Sequence, residues 1–285
     1  MKKTQTSVTA QGIAFARALE SSKPDGERIC YDPLARQLIS PAFYWLCRLS
    51  AGYAERKGPG VLGYLAVRCR YIDDYLEACL QAGIEQLVIL GAGLDSRAYR
   101  IEGLKGRVKV FEVDHPATQA TKLAKLGKIL GELPAHVTYV PIDFDAETLE
   151  KLFDFCYSQQ SKTLFIWEGV VCYLTAEAVD RTLKFVAEHS GTGSSIIFDY
   201  VYASALTAAD KRDEIVRMQR VRRYTGEGLV FGIEEGKIET FLQARGYAHI
   251  KNVTGAELKK AYFAGVNQAR SIAPIYAIVH AVVRG

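Results

Sequence analysis

Ten consecutive residues, Leu87-Val-Ile-Leu-Gly-Ala-Gly-Leu-Asp-Ser96, join an apolar run to a Gly91-Ala92-Gly93 turn. Glycines there let the backbone fold tightly and approach a ligand where a Cβ would collide. In open parallel sheets, ligands bind beyond the carboxyl ends of the strands. A glycine turn directly after a strand is therefore a candidate binding site, although a plain strand-to-helix turn looks the same. Three carboxylates add chemistry. Asp114 closes the apolar run Val108–Val113, 23 residues after Gly91. A carboxylate in that place can accept both hydroxyls of a nucleotide ribose. An aspartate capping a helix that starts at Pro116 would also sit there. Glu112 is the rival acid on the same face; Asp114 is preferred because it ends the strand. Asp143 follows Val137–Ile142 and precedes Phe144. The pair offers an acceptor for an adenine amino group and a ring to pack on the base. A loop with Asp145 as a helix cap is the plainer alternative. Glu168 closes Lys162–Trp167. Packing does not explain a carboxylate at the end of an apolar strand, whereas a cationic ligand facing it would.

These groups discriminate between ligands. A dinucleotide fingerprint places a small packing residue sixth in GxGxxG. Here Ser96 is sixth and Asp95 precedes it. An aspartate beside the turn opposes a pyrophosphate. A nucleoside without phosphates fits better, and S-adenosylmethionine is such a ligand. It needs an acid for its ribose, an apolar slot for adenine and a cation for its carboxylate.

The surrounding pattern supplies a scaffold. The first 80 or so residues read as helical, with Ser7 as an N-cap for a helix through Leu19 and a second short helix opened by Asp32-Pro33. Val61–Ala82 carries apolar residues at helical spacing. Strands then alternate with helices. The strands are Gln86–Leu90, Val108–Val113, Val137–Ile142, Lys162–Trp167 and Ser194–Tyr200. The helices are Pro116–Leu130, Ala146–Phe155 and Thr175–Ser190, the last capped by Thr175. A charged helix over Ala208–Tyr224, a helix over Ile238–Arg245 and strands Tyr247–Val253 and Ile275–Val283 complete the chain. The alternation predicts an α/β fold with a doubly wound, mostly parallel sheet of seven strands. No clear helix directly precedes the final strand, so one edge is expected to be antiparallel. The expected organisation is one domain over residues 1–285. Residues 1–84 form a helical cap, 85–285 the sheet core, and a lid insertion lies near 203–236.

Composition excludes several classes. The chain has 285 residues, 49% hydrophobic and 24% charged, with a net charge of +4. This is neither a disordered chain nor a strongly basic nucleic-acid binder. The six cysteines form no CxxC and the five histidines no HxxxH, so no metal site is predicted. Reduced thiols point to a cytoplasmic protein. Met1-Lys2-Lys3 is followed by polar residues, not by the apolar core of a signal peptide. Ile272–Val283 is too short to span a membrane. Neither a nucleic acid nor a membrane is expected as a partner, and oligomeric state is not predicted.

Six stretches resemble the class I S-adenosylmethionine-dependent methyltransferases of the leucine carboxyl methyltransferase and polyketide O-methyltransferase group. They are Thr9–Ser21 (TAQGIAFARALES), Tyr31–Ala35 (YDPLA), Val67–Asp74 (VRCRYIDD), Leu90–Arg100 (LGAGLDSRAYR), Phe111–Pro116 (FEVDHP) and Glu168–Tyr173 (EGVVCY). The late segment Phe241–Tyr247 (FLQARGY) is similar too. The resemblance implies a Rossmann-like methyltransferase fold. It implies S-adenosyl-L-methionine as cofactor and S-adenosyl-L-homocysteine as product. It also implies roles. Arg68 matches the arginine that binds the cofactor carboxylate, with Arg70 a rival by proximity. Gly91, Ala92 and Gly93 match the cofactor turn, Asp114 the ribose acid, and Asp143 and Phe144 the adenine contacts. Glu168 matches the acid near the methionine moiety. Tyr173 matches a tyrosine near the transfer point, where it would position the acceptor. Arg17 lies in a matching stretch without an assigned role. Methyl transfer is an in-line displacement that depends on placement. A carboxylate acceptor needs no general base, whereas an alcohol does. The expected activity is O-methylation of a carboxylate or hydroxyl of a small organic acceptor. Lys211–Arg223, with six basic residues in 13, offers charge for an anionic acceptor or a solvated helix face. The alternatives are a protein C-terminal carboxyl methyltransferase and a non-catalytic S-adenosylmethionine-binding protein. A nicotinamide-dependent oxidoreductase is a further rival.

Overall fold

A computed structural model describes residues 8–57, 59–144, 146–206 and 228–284. The predicted Ser7 and Asp145 caps, the charged helix over Ala208–Tyr224 and its basic stretch Lys211–Arg223 lie outside the described residues.

Seven strands form one sheet: β1 Gln86–Leu90, β2 Lys109–Asp114, β3 Val137–Pro141, β4 Thr163–Trp167, β5 Ser195–Val201, β6 Tyr247–Thr254 and β7 Tyr276–Val283. Their order is β3-β2-β1-β4-β5-β7-β6. The first five run parallel. β7 runs antiparallel to β5, and β6 forms the edge antiparallel to β7. Every residue of β1, β4 and β5 is buried, which accounts for their unbroken apolar sequences. The strand order reverses between β1 and β4, and that switch point opens a crevice at the carboxyl ends.

Side chains alternate between the two faces of the sheet. Along β1, Leu87 and Ile89 join one core, while Val88 and Leu90 join the other. The first core is completed by α1 Val8–Ser21 and α4 Val61–Gln81, through Phe15, Val67, Ile72 and Leu76. The short α2 Ala35–Leu38 and α3 Pro41–Lys57 pack on the same side through Leu38 and Tyr44. Asp32 Oδ1 accepts the N–H groups of Leu34 and Ala35, both at 3.0 Å, which explains why Asp32-Pro33 starts a helix there. After β1 come α5 Arg97–Arg100 and α6 Pro116–Leu130. The second core receives α7 Ala176–Glu188 through Val179, Leu183 and Val186. Thr175 caps α7 as its sequence predicts, its side chain accepting Ala178 N–H at 3.2 Å.

Two elements depart from the sequence reading. The segment over Ala146–Phe155 is not an α-helix: Leu149–Phe155 winds as a tighter 3₁₀ helix. Between β6 and β7, after α8 Ile238–Gln243 has led into β6, a helix appears that the apolar pattern did not suggest: α9, Gly255–Tyr262. A reciprocal capping box at Thr254 and Glu257 starts it. Local capping, not amphipathic periodicity, specifies this short element.

Candidate active site

A cavity of about 450 Å³ opens at the carboxyl ends of the central strands. Eight of the predicted residues line it: Gly91, Ala92, Gly93, Asp114, Asp143, Phe144, Glu168 and Tyr173. The predicted Arg68 stands behind this lining, bonded to Glu168. The lining also includes Thr9, Ala10 and Ile13 of α1, with Val170, Leu174 and Val230.

The glycine turn is tight. Gly91 has φ +66°, and a Cβ built on it would collide with the Val170 side chain. The backbone conformation and the neighbouring wall both demand glycine there. Asp114 lies beneath the turn and accepts Gly93 N–H through Oδ2. Its Oδ1 accepts His115 N–H at 2.6 Å. Burial pushes its carboxyl above the ordinary value, and the two backbone donors oppose that rise. Each oxygen keeps lone-pair capacity for a further donor. The helix that follows is capped by His115, whose Nδ1 accepts Ala117 N–H at 3.2 Å. The capping alternative for Asp114 therefore falls to its neighbour. Glu112, the rival acid, is buried away from the lining and paired with Lys122 at 2.7 Å. Asp143 is half-exposed, with its Oδ2 3.8 Å from His115 Nε2, and Phe144 packs partly against the second core.

A charged network closes the cavity floor. Glu168 accepts Arg68 Nε at 3.0 Å and Arg97 Nη1 at 2.6 Å. Burial would raise the Glu168 pKa, but Arg97, Arg68 and Arg17 outweigh it and hold the carboxyl well below the usual range. Arg97 also bonds Asp73 Oδ1 at 2.7 Å and pairs with Asp95. The aspartate beside the glycine turn is therefore compensated from within the protein. Arg68 Nη1 donates to Asp199 Oδ2 at 2.6 Å. Its Nη2 is buried and has no hydrogen-bond partner among the described residues. Arg70, the rival by proximity, is exposed and paired with Asp74. Arg17 lines the cavity, donates to Leu94 O at 2.6 Å and pairs with Asp32 at 2.9 Å.

Arg97 and Asp199 received no role from the sequence. Asp199 carried the signal that singled out Glu168, an acid late in the apolar run Ser195-Ile-Ile-Phe-Asp199. Arg97 lies within the quoted glycine-turn stretch. Besides its near neighbour Asp95 it bonds Asp73 and Glu168, 24 and 71 residues away, which local spacing does not reveal.

Residues 10–187 match the family model described as leucine carboxyl methyltransferase. The chain belongs to the leucine carboxyl methyltransferase family. A protein of Mycolicibacterium paratuberculosis (strain ATCC BAA-968 / K-10), provisionally named an S-adenosyl-L-methionine-dependent methyltransferase, is 34% identical over 76% of this chain and 70% of its own. The Bacillus subtilis (strain 168) protein YktD, named likewise, is 28% identical over 99% of both chains. The fold is shared with a provisionally named methyltransferase of Thermobifida fusca YX at TM-score 0.62 and 14% identity, covering 100% of this chain and 97% of that one. The chain is thus a methyltransferase of this family, and its cofactor is S-adenosylmethionine. The residues present suit that group. A buried arginine donor lacks a hydrogen-bond partner among the described residues, the glycines of the turn, without Cβ atoms, line the cavity, and ionised Glu168 suits a cation. Among the described residues no helix is long and apolar enough to cross a membrane, and no cluster of three or more metal-binding side chains occurs.

Proposed function

We propose that this family member transfers a methyl group to an oxygen of a small organic molecule, a carboxylate or an ionised hydroxyl. Bound S-adenosylmethionine supplies a methyl group activated by its sulfonium. The chain's own residues place the reactants. In this reading Asp114 receives the ribose hydroxyls, while Asp143 and Phe144 hold adenine. Gly91, Ala92 and Gly93 let the backbone approach. Arg68 Nη2 takes the cofactor carboxylate, Glu168 faces the cationic end, and Tyr173 orients the acceptor oxygen. Residues 1–84 then belong to the same domain as the sheet, because Arg68 and the α1 wall come from them.

Tyr173 carries the reading. It lines the cavity and hydrogen-bonds the Thr9 side chain. Burial, reinforced by Cys172, pushes its phenol far above the ordinary value. Tyr173 therefore stays protonated: it donates a hydrogen bond but removes no proton. An acceptor already ionised needs only that. The test is transfer of labelled methyl to a panel of small carboxylic acids, phenols, amines and C-terminal peptides. The expected product is an ester or ether of a small acid or phenol, and Tyr173→Phe lowers kcat/KM about tenfold or more without weakening cofactor binding. Transfer only to nitrogen, or only to a protein C-terminus, overturns the reading. Full activity of Tyr173→Phe removes that residue from the site.

A further inference from the structure

We infer that Asp199 is a positioning residue for the amino-acid end of the cofactor, acting through Arg68 and Gly169. The inference rests on the proposed assignment of Arg68 to the cofactor carboxylate. Asp199 lies near the carboxyl end of β5, is 4% exposed, and does not line the cavity. Its two oxygens do different things. Oδ1 accepts the N–H of Gly169, a lining residue, at 2.6 Å. Oδ2 accepts Arg68 Nη1 at 2.6 Å and the Tyr64 hydroxyl at 3.4 Å. Glu168 holds Arg68 Nε on the other edge. A planar guanidinium gripped at Nε and Nη1 has its remaining nitrogen aimed by geometry. That nitrogen, Nη2, is the buried donor without a partner among the described residues.

Gly169 shows where it points. A Cβ added there would sit 3.4 Å from both Nη1 and Nη2, and 2.8 Å from Ile13 Cδ1. Gly169 also has φ +70°, where side-chain-bearing residues are strained. One carboxylate thus fixes both the bare backbone of Gly169 and the buried guanidinium packed directly behind it. A free carboxylate on that floor is the group that would complete the bonding of Arg68.

Calorimetric titration of the full chain with S-adenosylhomocysteine and with 5′-methylthioadenosine tests this. The second ligand has the nucleoside and sulfur but no amino-acid end. Asp199→Asn keeps the size and an acceptor for Gly169 but removes the charge facing Arg68. It is expected to weaken S-adenosylhomocysteine about ten- to a hundredfold and leave 5′-methylthioadenosine unchanged. A merely structural role would weaken both ligands alike, and that result overturns the inference, as does an unweakened S-adenosylhomocysteine. Should the asparagine variant not fold, Asp199→Glu keeps the charge and displaces it by one methylene. The same selective loss then supports the inference, and an equal loss or none overturns it. Arg68→Met separates the two levels. If it weakens both ligands alike, the assignment of Arg68 itself fails. If it weakens S-adenosylhomocysteine alone while the folded Asp199 variant does not, Arg68 stands and Asp199 falls.

Discussion

Glu112 and Glu168 are both acids with buried side chains near the carboxyl ends of β2 and β4, the two strands that flank β1, yet they titrate in opposite directions. Burial pushes both up. At Glu168 the arginines win and the carboxyl is held low. At Glu112 the opposition comes from one lysine and the Tyr99 hydroxyl at 2.9 Å, burial wins, and the carboxyl is raised. Glu112 Oε1 has no hydrogen-bond partner among the described residues, whereas each Glu168 oxygen receives a guanidinium N–H. The contrast lies in the number and rigidity of the cations. Planar guanidiniums, each donating to one carboxylate oxygen, hold Glu168 ionised in the interior. With a single ammonium and a hydroxyl as partners, burial prevails and the Glu112 carboxyl is raised.

The largest effect expected from this contrast is that of Arg97→Met. It removes the cation shared by Glu168, Asp95 and Asp73 and strands carboxylates in the interior. Breaking such a buried network costs about 3–5 kcal/mol, measurable by denaturant unfolding. A loss below about 1 kcal/mol would mean that the network is screened like a surface one, and the contrast with Glu112 would collapse.

Lys122→Met is the matched change on the other side and should cost less, about 1–3 kcal/mol. Glu112 is already raised, so it can take up a proton and avoid a buried charge. Side-by-side unfolding of the two variants decides the order. If Lys122→Met proves as damaging as Arg97→Met, partner number does not separate the two glutamates.

The same distinction marks what could be read from the sequence. Strand positions were legible because each central strand is a short apolar run that carries its own signal. The predicted and observed strand limits differ by a residue or so at each end. Asp114, Asp143 and Glu168 were visible because each follows such a run directly. Arg97 and Asp199 were not, since their meaning depends on partners 71 and 131 residues away. The cavity wall built from α1, Val170, Leu174 and Val230 was least legible, because these segments meet only in the folded chain. The capping box of α9 was written in Thr254-Gly-Ala-Glu257, but a helix of eight residues with two buried positions shows little periodicity.

The smallest effect concerns pH, and its sign differs between the two acids. The folded Glu168 carboxyl lies below its ordinary value of 4.5. As pH falls below that value, the unfolded chain takes up the proton first, so the stability contributed by Glu168 is present above the ordinary value and lost towards acid. The folded Glu112 carboxyl lies above 4.5. There the native state holds the proton longer, so its contribution declines as pH rises from the ordinary value through the raised one. Melting temperature measured across the acid range for Glu112→Gln and Glu168→Gln checks both signs. Relative to the parent, Glu168→Gln should flatten the acid limb, because a term that rises with pH is gone. Glu112→Gln should steepen the rise towards neutrality, because a term that falls with pH is gone. If both substitutions tilt the profile the same way, the opposite shifts are not real properties of the fold, and arginine count no longer separates Glu168 from Glu112.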